Sequence, residues 1–150
     1  MVNALVIYAS WTGTTMEIAN ILATELRALK IETSVKACTE AYPSEFQQVN
    51  ICVVATYTYG SDGALPEEAE DFFDDLEDVD LYGKIYGVLG SGDRVYKKFC
   101  PAVDYFADQF EKTGATRGSD LLKINLQPDE HDKLAIKEFA RNLIDALARK

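Results

Sequence analysis

No apolar run in this 150-residue chain approaches the roughly 20 residues that span a bilayer. Its start, Met1-Val2-Asn3-Ala4-Leu5-Val6-Ile7-Tyr8, lacks the basic residues that open a signal peptide and reads instead as a buried strand. The expectation is a cytoplasmic protein that does not associate with membranes. Cysteine is scarce: Cys38, Cys52 and Cys100 are odd in number and have no C-x-x-C spacing. That argues against a disulfide framework or a zinc site and leaves three reduced thiols packed as small apolar groups. Repeats, low-complexity tracts and linkers are absent, and the length suits one ordinary domain over residues 1–150. With 47% hydrophobic and 27% charged residues, the composition is that of a globular chain.

Basic residues are in deficit, 15 against 25 acids, for a formal net charge of −10. The imbalance is local. Asp62, Glu67, Glu68, Glu70, Asp71, Asp74, Asp75, Glu77, Asp78 and Asp80 lie in one stretch without a single Lys or Arg. The remaining 15 acids match the 15 bases, so this short segment carries the whole net charge. A field of that sign repels nucleic acid and anionic membranes and attracts basic partners. A solvated helix face explains the same residues, and the two readings are compatible.

Strand-like runs alternate with helical patterns. Ala4–Tyr8 comes first, and from Met16 the apolar residues Ile18, Ile21, Leu22, Leu26 and Leu29 recur at helical offsets. Glu32–Ala37 alternates as a weaker strand, and a short helical turn after Pro43 leads to the β-branched run Ile51–Ala55. Pro66 and its following acids suit a first helical turn, which Ala69, Phe72, Phe73 and Leu76 continue. Ile85–Leu89 is a fourth strand. Phe99, Val103, Phe106, Ala107 and Phe110 form a helical stripe ended by Gly114. Leu121–Leu126 is a fifth strand, and Ile136, Phe139, Leu143, Ile144 and Leu147 mark a last helix. Such alternation implies an α/β, doubly wound, three-layer sandwich, because right-handed crossovers put helices on both faces of a parallel sheet. Ligands in such sheets bind beyond the carboxyl ends of the strands, so the loops after the first, third and fourth strands are where chemistry belongs.

The first of these loops is Ser10-Trp11-Thr12-Gly13-Thr14-Thr15, running straight into a helix. Four hydroxyls, one Gly and no charge at a helix start suit a phosphate, through backbone N–H and side-chain O–H donors; a capping cluster with spare hydroxyls is the plainer alternative. No G-K-[ST] follows, so nucleotide hydrolysis has no support, and no G-x-G-x-x-G is present for a dinucleotide. The loop after the third strand, Thr56-Tyr57-Thr58-Tyr59-Gly60-Ser61-Asp62-Gly63, offers aromatics and glycines for a flat ring. A Tyr/Gly-rich surface turn accounts for it equally well when it is taken alone. The loop after the fourth strand, Gly90 to Cys100, adds close backbone approach at Gly92 and a second aromatic plane at Tyr96. A conjugated ring between Tyr59 and Tyr96, with its phosphate on Ser10–Thr15, accounts for all three loops at once.

On these residues the sequence resembles the short-chain flavodoxins over essentially its whole length. The first loop matches the family's [ST]-x-T-G-x-T phosphate signature. The third matches its Gly-Asp-x-x-Tyr-x-x-Phe-Cys pattern at Gly92, Asp93, Tyr96, Phe99 and Cys100. Long-chain members interrupt the fifth strand with an insertion, and Leu121–Leu126 carries none. The resemblance implies a five-stranded sheet of order 2-1-3-4-5, noncovalent FMN, and low-potential one-electron transfer by a semiquinone/hydroquinone cycle. It implies a phosphate held by Ser10, Trp11, Thr12, Gly13, Thr14 and Thr15, and a ring stacked between Tyr59 and Tyr96. Tyr57, Thr58, Ser91, Gly92 and Phe99 join the site, and Asp93 and the backbone near Cys100 meet the ring's pyrimidine edge. The Gly60–Ser61 peptide matches the one that reorients towards the reduced ring. Tyr59 stands where many relatives have Trp, and Arg94, Lys97 and Lys98 bring positive charge to the ring loop.

The implied partners are redox proteins, reductases as donors and low-potential enzymes as acceptors, docking through basic surfaces on a monomeric carrier with no nucleic acid and no substrate of its own. The alternative on the same fold is an FMN enzyme, such as a quinone reductase or a ribonucleotide-reductase activator. A signalling receiver domain would need an Asp ending the third strand, where Ala55-Thr56 stands, and a small phosphatase would need C-x5-R in the first loop, which is absent. His131 reads as a solvated neighbour of a helix N-cap rather than as a base. Cys100 sits at a helix start, where a thiol's pKa is lowered, although packing and backbone contact suit it better.

Overall fold

A computed structural model describes residues 2–58 and 63–149. The chain begins with β1 (Asn3–Tyr8), α1 (Thr14–Ala28) and β2 (Glu32–Ala37). Two 3-10 turns, Cys38–Glu40 and Pro43–Gln48, lead to β3 (Ile51–Tyr57). A third 3-10 turn, Glu67–Ala69, passes into α2 (Glu70–Leu76), followed by β4 (Ile85–Gly92) and α3 (Pro101–Lys112). The last elements are β5 (Thr116–Arg117), β6 (Leu122–Asn125) and α4 (Glu130–Ala148).

All strand pairings are parallel, in the order β2-β1-β3-β4-β5, with β6 also on β4. The expected order is therefore present, but two short pieces share the fifth position. Thr116 and Arg117 lie opposite Ile85 and Tyr86, and Leu122–Asn125 lie opposite Leu89–Gly92. Residues 118–121 bridge the gap, where a Cβ at Gly118 would stand 2.4 Å from Ile85 Cγ2. Both residues of β5 are exposed, so hydrophobic periodicity has nothing there to detect.

Strand alternation divides the core in two. Leu5, Ile7, Cys52, Val54, Tyr86 and Val88 face Phe72, Leu76, Val103, Phe106 and Phe110 of α2 and α3. Val6, Ile51, Val53, Ile85 and Leu89 face Ile18, Leu22 and Leu26 of α1 and Ile136, Phe139 and Leu143 of α4. Helices thus cover both faces of the sheet, and β1 and β3 leave it as neighbours where the chain reverses its direction of winding. None of the described helices is long and apolar enough to cross a membrane.

Two boundaries move relative to the sequence reading, and both moves shape the site. Strands β3 and β4 continue past Ala55 and Leu89 into the glycine- and hydroxyl-bearing segments, because their ladder runs on through Thr56↔Gly90 and Tyr57↔Ser91. Phe99 lies outside α3: Cys100 takes a left-handed φ of 52° and Pro101 opens the helix.

Candidate cofactor site

Three chain segments leave the sheet side by side. Ala9 N–H donates to Ala55 O at 2.9 Å, and Tyr57 is level with Ser91, so the loops after β1, β3 and β4 open at one edge. They enclose a cavity of about 490 Å³ lined by Trp11, Thr12, Thr14, Thr15, Tyr57, Thr58, Ser91, Gly92, Asp93 and Tyr96. Its volume falls within the roughly 300–1,000 Å³ usual for small-molecule sites. Leu126 and Gln127, just beyond β6, complete the wall. Sequence reasoning missed these two, although the rule that selects strand carboxyl ends covers the fifth position as well.

One end of the cavity is a cradle of hydroxyls at the start of α1. Gly13 is the N-cap, with φ 95°; a Cβ there would meet nothing within 4 Å, so the backbone angle rather than space calls for glycine. No side chain caps the helix, which leaves its positive end to the loop. Ser10 Oγ accepts from Gly13 N–H at 3.0 Å, and Thr14 Oγ1 accepts from Gln127 Nε2 at 2.8 Å. The Thr12 and Thr14 hydroxyls are 3.3 Å apart, and the buried Thr15 and Ser91 hydroxyls share a bond of 2.9 Å. Ser10 acts as acceptor towards Gly13 and so keeps its O–H to donate, and the Thr12–Thr14 and Thr15–Ser91 pairs have one proton each to spare. Such a donor set, with no carboxylate among it, fits a phosphate dianion.

The other end is built on β4 and its loop. Asp93 Oδ1 accepts from Val95 N–H at 2.9 Å, closing the turn that carries Tyr96, which is 43% exposed and so retains a free face. Arg94 N–H donates to Asn125 Oδ1 at 2.9 Å, and Leu126 N–H donates to Gly92 O at 2.8 Å, stitching this loop to the end of β6. Gly92 permits a close approach: its Cβ would stand 2.7 Å from Cys100 Sγ. Across the cavity, Tyr57 OH donates to Glu68 Oε1 at 2.8 Å and Thr58 Oγ1 accepts from Ala102 N–H at 3.2 Å. The expected roles of Tyr59, Gly60 and Ser61 fall outside the described residues.

Phe99 and Cys100 stand behind the loop and do not line the cavity. Phe99 packs on the core with the Arg94 guanidinium 5.0 Å from its ring centre. The Cys100 thiol is not lowered in pKa. Burial pushes it up to about 11, outweighing the nearby Lys123. Burial likewise raises Cys38 to about 11 and Cys52 to about 12. Beside the cradle, Ser10, Trp11, Tyr57, Glu67 and Glu68 line a second cleft, so the acidic segment reaches the rim of the site. Arg94, Lys97 and Lys98 are exposed on the β4 loop, and a Cβ at Gly63 of the β3 loop would stand 3.2 Å from Lys98 Cδ.

A phosphate cradle and a flat-sided slot opening into one cavity, at the switch point of a doubly wound sheet, define a mononucleotide-binding α/β protein. The comparisons with known proteins narrow this. The flavodoxin family model matches residues 6–139. Probable flavodoxin 1 of Bacillus subtilis is 35% identical over 145 residues, 96% of this chain and 91% of that one. Among solved structures, the flavodoxin of Streptococcus pneumonia TIGR4 is 48% identical with a TM-score of 0.93, covering 95% of this chain and 98% of its own. A short-chain flavodoxin associated with a non-canonical PDU bacterial microcompartment is 42% identical with a TM-score of 0.95, covering 98% and 99%. The chain belongs to the flavodoxin family, and it is an FMN-binding electron carrier that works with redox partner proteins.

Proposed function

We propose that Ser10, Trp11, Thr12, Gly13, Thr14 and Thr15 hold the FMN phosphate, that the ring stacks between Tyr59 and Tyr96, and that the Gly60–Ser61 peptide accepts a hydrogen bond from the reduced ring. Tyr57, Thr58, Ser91, Gly92 and Asp93 bound the ring slot, and Leu126 and Gln127, tied to Gly92 and Thr14, close it. The observation that carries this reading is that an uncharged, hydroxyl-rich helix start and a tyrosine-walled slot open into the same cavity. FMN, when bound, supplies a centre that takes up and releases electrons one at a time.

The residues contribute binding and electrostatics. The cradle donors neutralise a dianion without a full positive charge nearby, and Tyr96 shields the ring from water. Glu67 and Glu68 oppose added negative charge in the neighbouring cavity. A carboxylate about 10 Å from a new charge, at an effective dielectric of ~20, opposes it by roughly 1.7 kcal/mol, or about 70 mV before screening. No His, Lys or Cys lines the cavity among the described residues, and His131 is exposed at the start of α4.

The same reading takes the chain to be one FMN-binding domain, monomeric and cytoplasmic. Basic partners dock on its acidic side. Glu68 is shared between the cleft beside Trp11 and a groove bearing Glu40, Asp71 and Asp75, so negative potential runs from the site rim across that face.

FMN and riboflavin titrations of the apoprotein and of Thr12→Asp test the assignment. A carboxylate in the cradle repels the phosphate, so FMN affinity falls at least about a hundredfold while riboflavin affinity changes little. Equal losses for both ligands would overturn the phosphate role of the loop.

A further inference from the structure

A second polar depression, of about 290 Å³, lies far from the FMN site and is lined by Arg117, Gly118, Ser119, Asp120, Asn142 and Arg149. Arg117 pairs in the sheet with Tyr86, six residues before Gly92 on β4, about 20 Å away along the strand. The depression therefore opens on a different part of the surface from the cavity of the three loops.

One of its two cationic groups, Arg117, is held in place. Tyr86 is fully buried and stacks on Phe110 with ring centroids 4.7 Å apart and planes 13° from parallel. Its hydroxyl donates to Glu111 Oε2 at 2.5 Å and accepts from Arg117 Nε at 3.2 Å. The guanidinium of Arg117 is thus pinned at Nε, with its terminal N–H groups unused by any other described hydrogen bond. Ser119 is 8% exposed, and its Oγ accepts from Asn142 Nδ2 at 3.2 Å, leaving its O–H as a donor. Arg149 enters from the end of α4. The chain has 25 acids, yet among the described residues every ion pair uses a lysine and neither arginine has a carboxylate within 4 Å, with Glu111 and Asp120 acting on Arg117 from further away.

The geometry points to a second anion site, in which Arg117, Arg149 and the Ser119 hydroxyl bind a phosphate monoester dianion. Two guanidinium forks and a hydroxyl donor match the charge and the terminal oxygens of a phosphate, where a carboxylate would engage one fork and leave the other unpaired. Asp120 at the rim, Glu111 behind the Tyr86 hydroxyl and the carboxyl end of α4 oppose an anion, so two carboxylates stand against the two cations and attraction rests on directed guanidinium and hydroxyl hydrogen bonds rather than on net charge. The site binds phosphate weakly and depends on both arginines. A phosphorylated ligand held there leaves the FMN edge open to redox partners.

The test is an amide and arginine Nε NMR titration of the FMN-loaded protein with inorganic phosphate, at constant ionic strength set with chloride. Loaded FMN keeps the hydroxyl cradle filled, so phosphate cannot register there. Saturable shifts at Gly118, Ser119, Asp120 and Arg117 Nε, with none at residues 10–15, are expected. Arg149→Gln leaves the Tyr86 network intact and weakens phosphate binding at least tenfold, and Arg117→Gln/Arg149→Gln abolishes saturation. Shifts that rise linearly, that chloride reproduces, or that persist unchanged in Arg149→Gln would overturn the site. None of these outcomes alters FMN binding, so failure here leaves the carrier function standing.

Discussion

Single residues carry opposite demands in this site, as two glycines make plain. A Cβ at Gly90 would stand 2.2 Å from Thr56 O and 2.6 Å from Val103 Cγ2. Neither neighbour can yield without opening the β3–β4 ladder or lifting α3. Gly90→Ala is therefore expected to cost at least about 3 kcal/mol, the upper end of ordinary overpacking. Gly13→Ala has open space around the new methyl and suffers only from its φ of 95°, a penalty of roughly 1–2 kcal/mol. Urea unfolding of the two variants measures both, and a Gly90→Ala protein as stable as Gly13→Ala would contradict this division between space and backbone angle.

At the scale of elements, α4 governs the wall that sequence reasoning overlooked. Leu126 and Gln127 line the cavity immediately before the cap of this helix. Asp129 accepts from Asp132 N–H at 2.8 Å, and Asp132 Oδ2 accepts from Asp129 N–H at 3.1 Å, forming a reciprocal cap. The Asp132 N–H bond holds the Asp129 carboxyl below its usual range. A depressed folded-state pKa means the stabilisation is present above the ordinary carboxylate range and is lost as pH falls through the folded value. Asp129→Ala is expected to melt below the parent at pH 7, with the difference narrowing in acid. Melting curves at pH 7 and pH 3 check the sign, and a difference that widens in acid would refute it.

Elements with buried, periodic faces were legible in the sequence. Ile18, Leu22 and Leu26 announce α1, and the run Ile51–Ala55 announces β3. Thr116–Arg117 was not legible, because two exposed polar residues form a strand only through pairing with β4. The strand extensions to Tyr57 and Gly92 were hidden for a related reason: glycine and hydroxyl residues resemble loop until the neighbouring ladder recruits them. The hydroxyl cradle was readable because its chemistry depends on residue types at a helix start. Leu126 and Gln127 were not, since their part in the site comes from the β6–β4 register and from a left-handed φ of 60° at Leu126.

At the scale of the whole molecule, two core layers hold three loops in register. Glu67 and Glu68 of the turn before α2 stand in the cleft beside the cavity, and Arg94, Lys97 and Lys98 are exposed on the β4 loop. We propose that fixed local charges on this FMN-binding scaffold set the electron affinity of the flavin. A potentiometric titration of the FMN-loaded protein tests that most directly. Two resolved one-electron steps are predicted, the lower one below the midpoint of free FMN and rising towards it in Glu67→Gln. A single two-electron step at the midpoint of free FMN, unchanged by that substitution, would contradict the account.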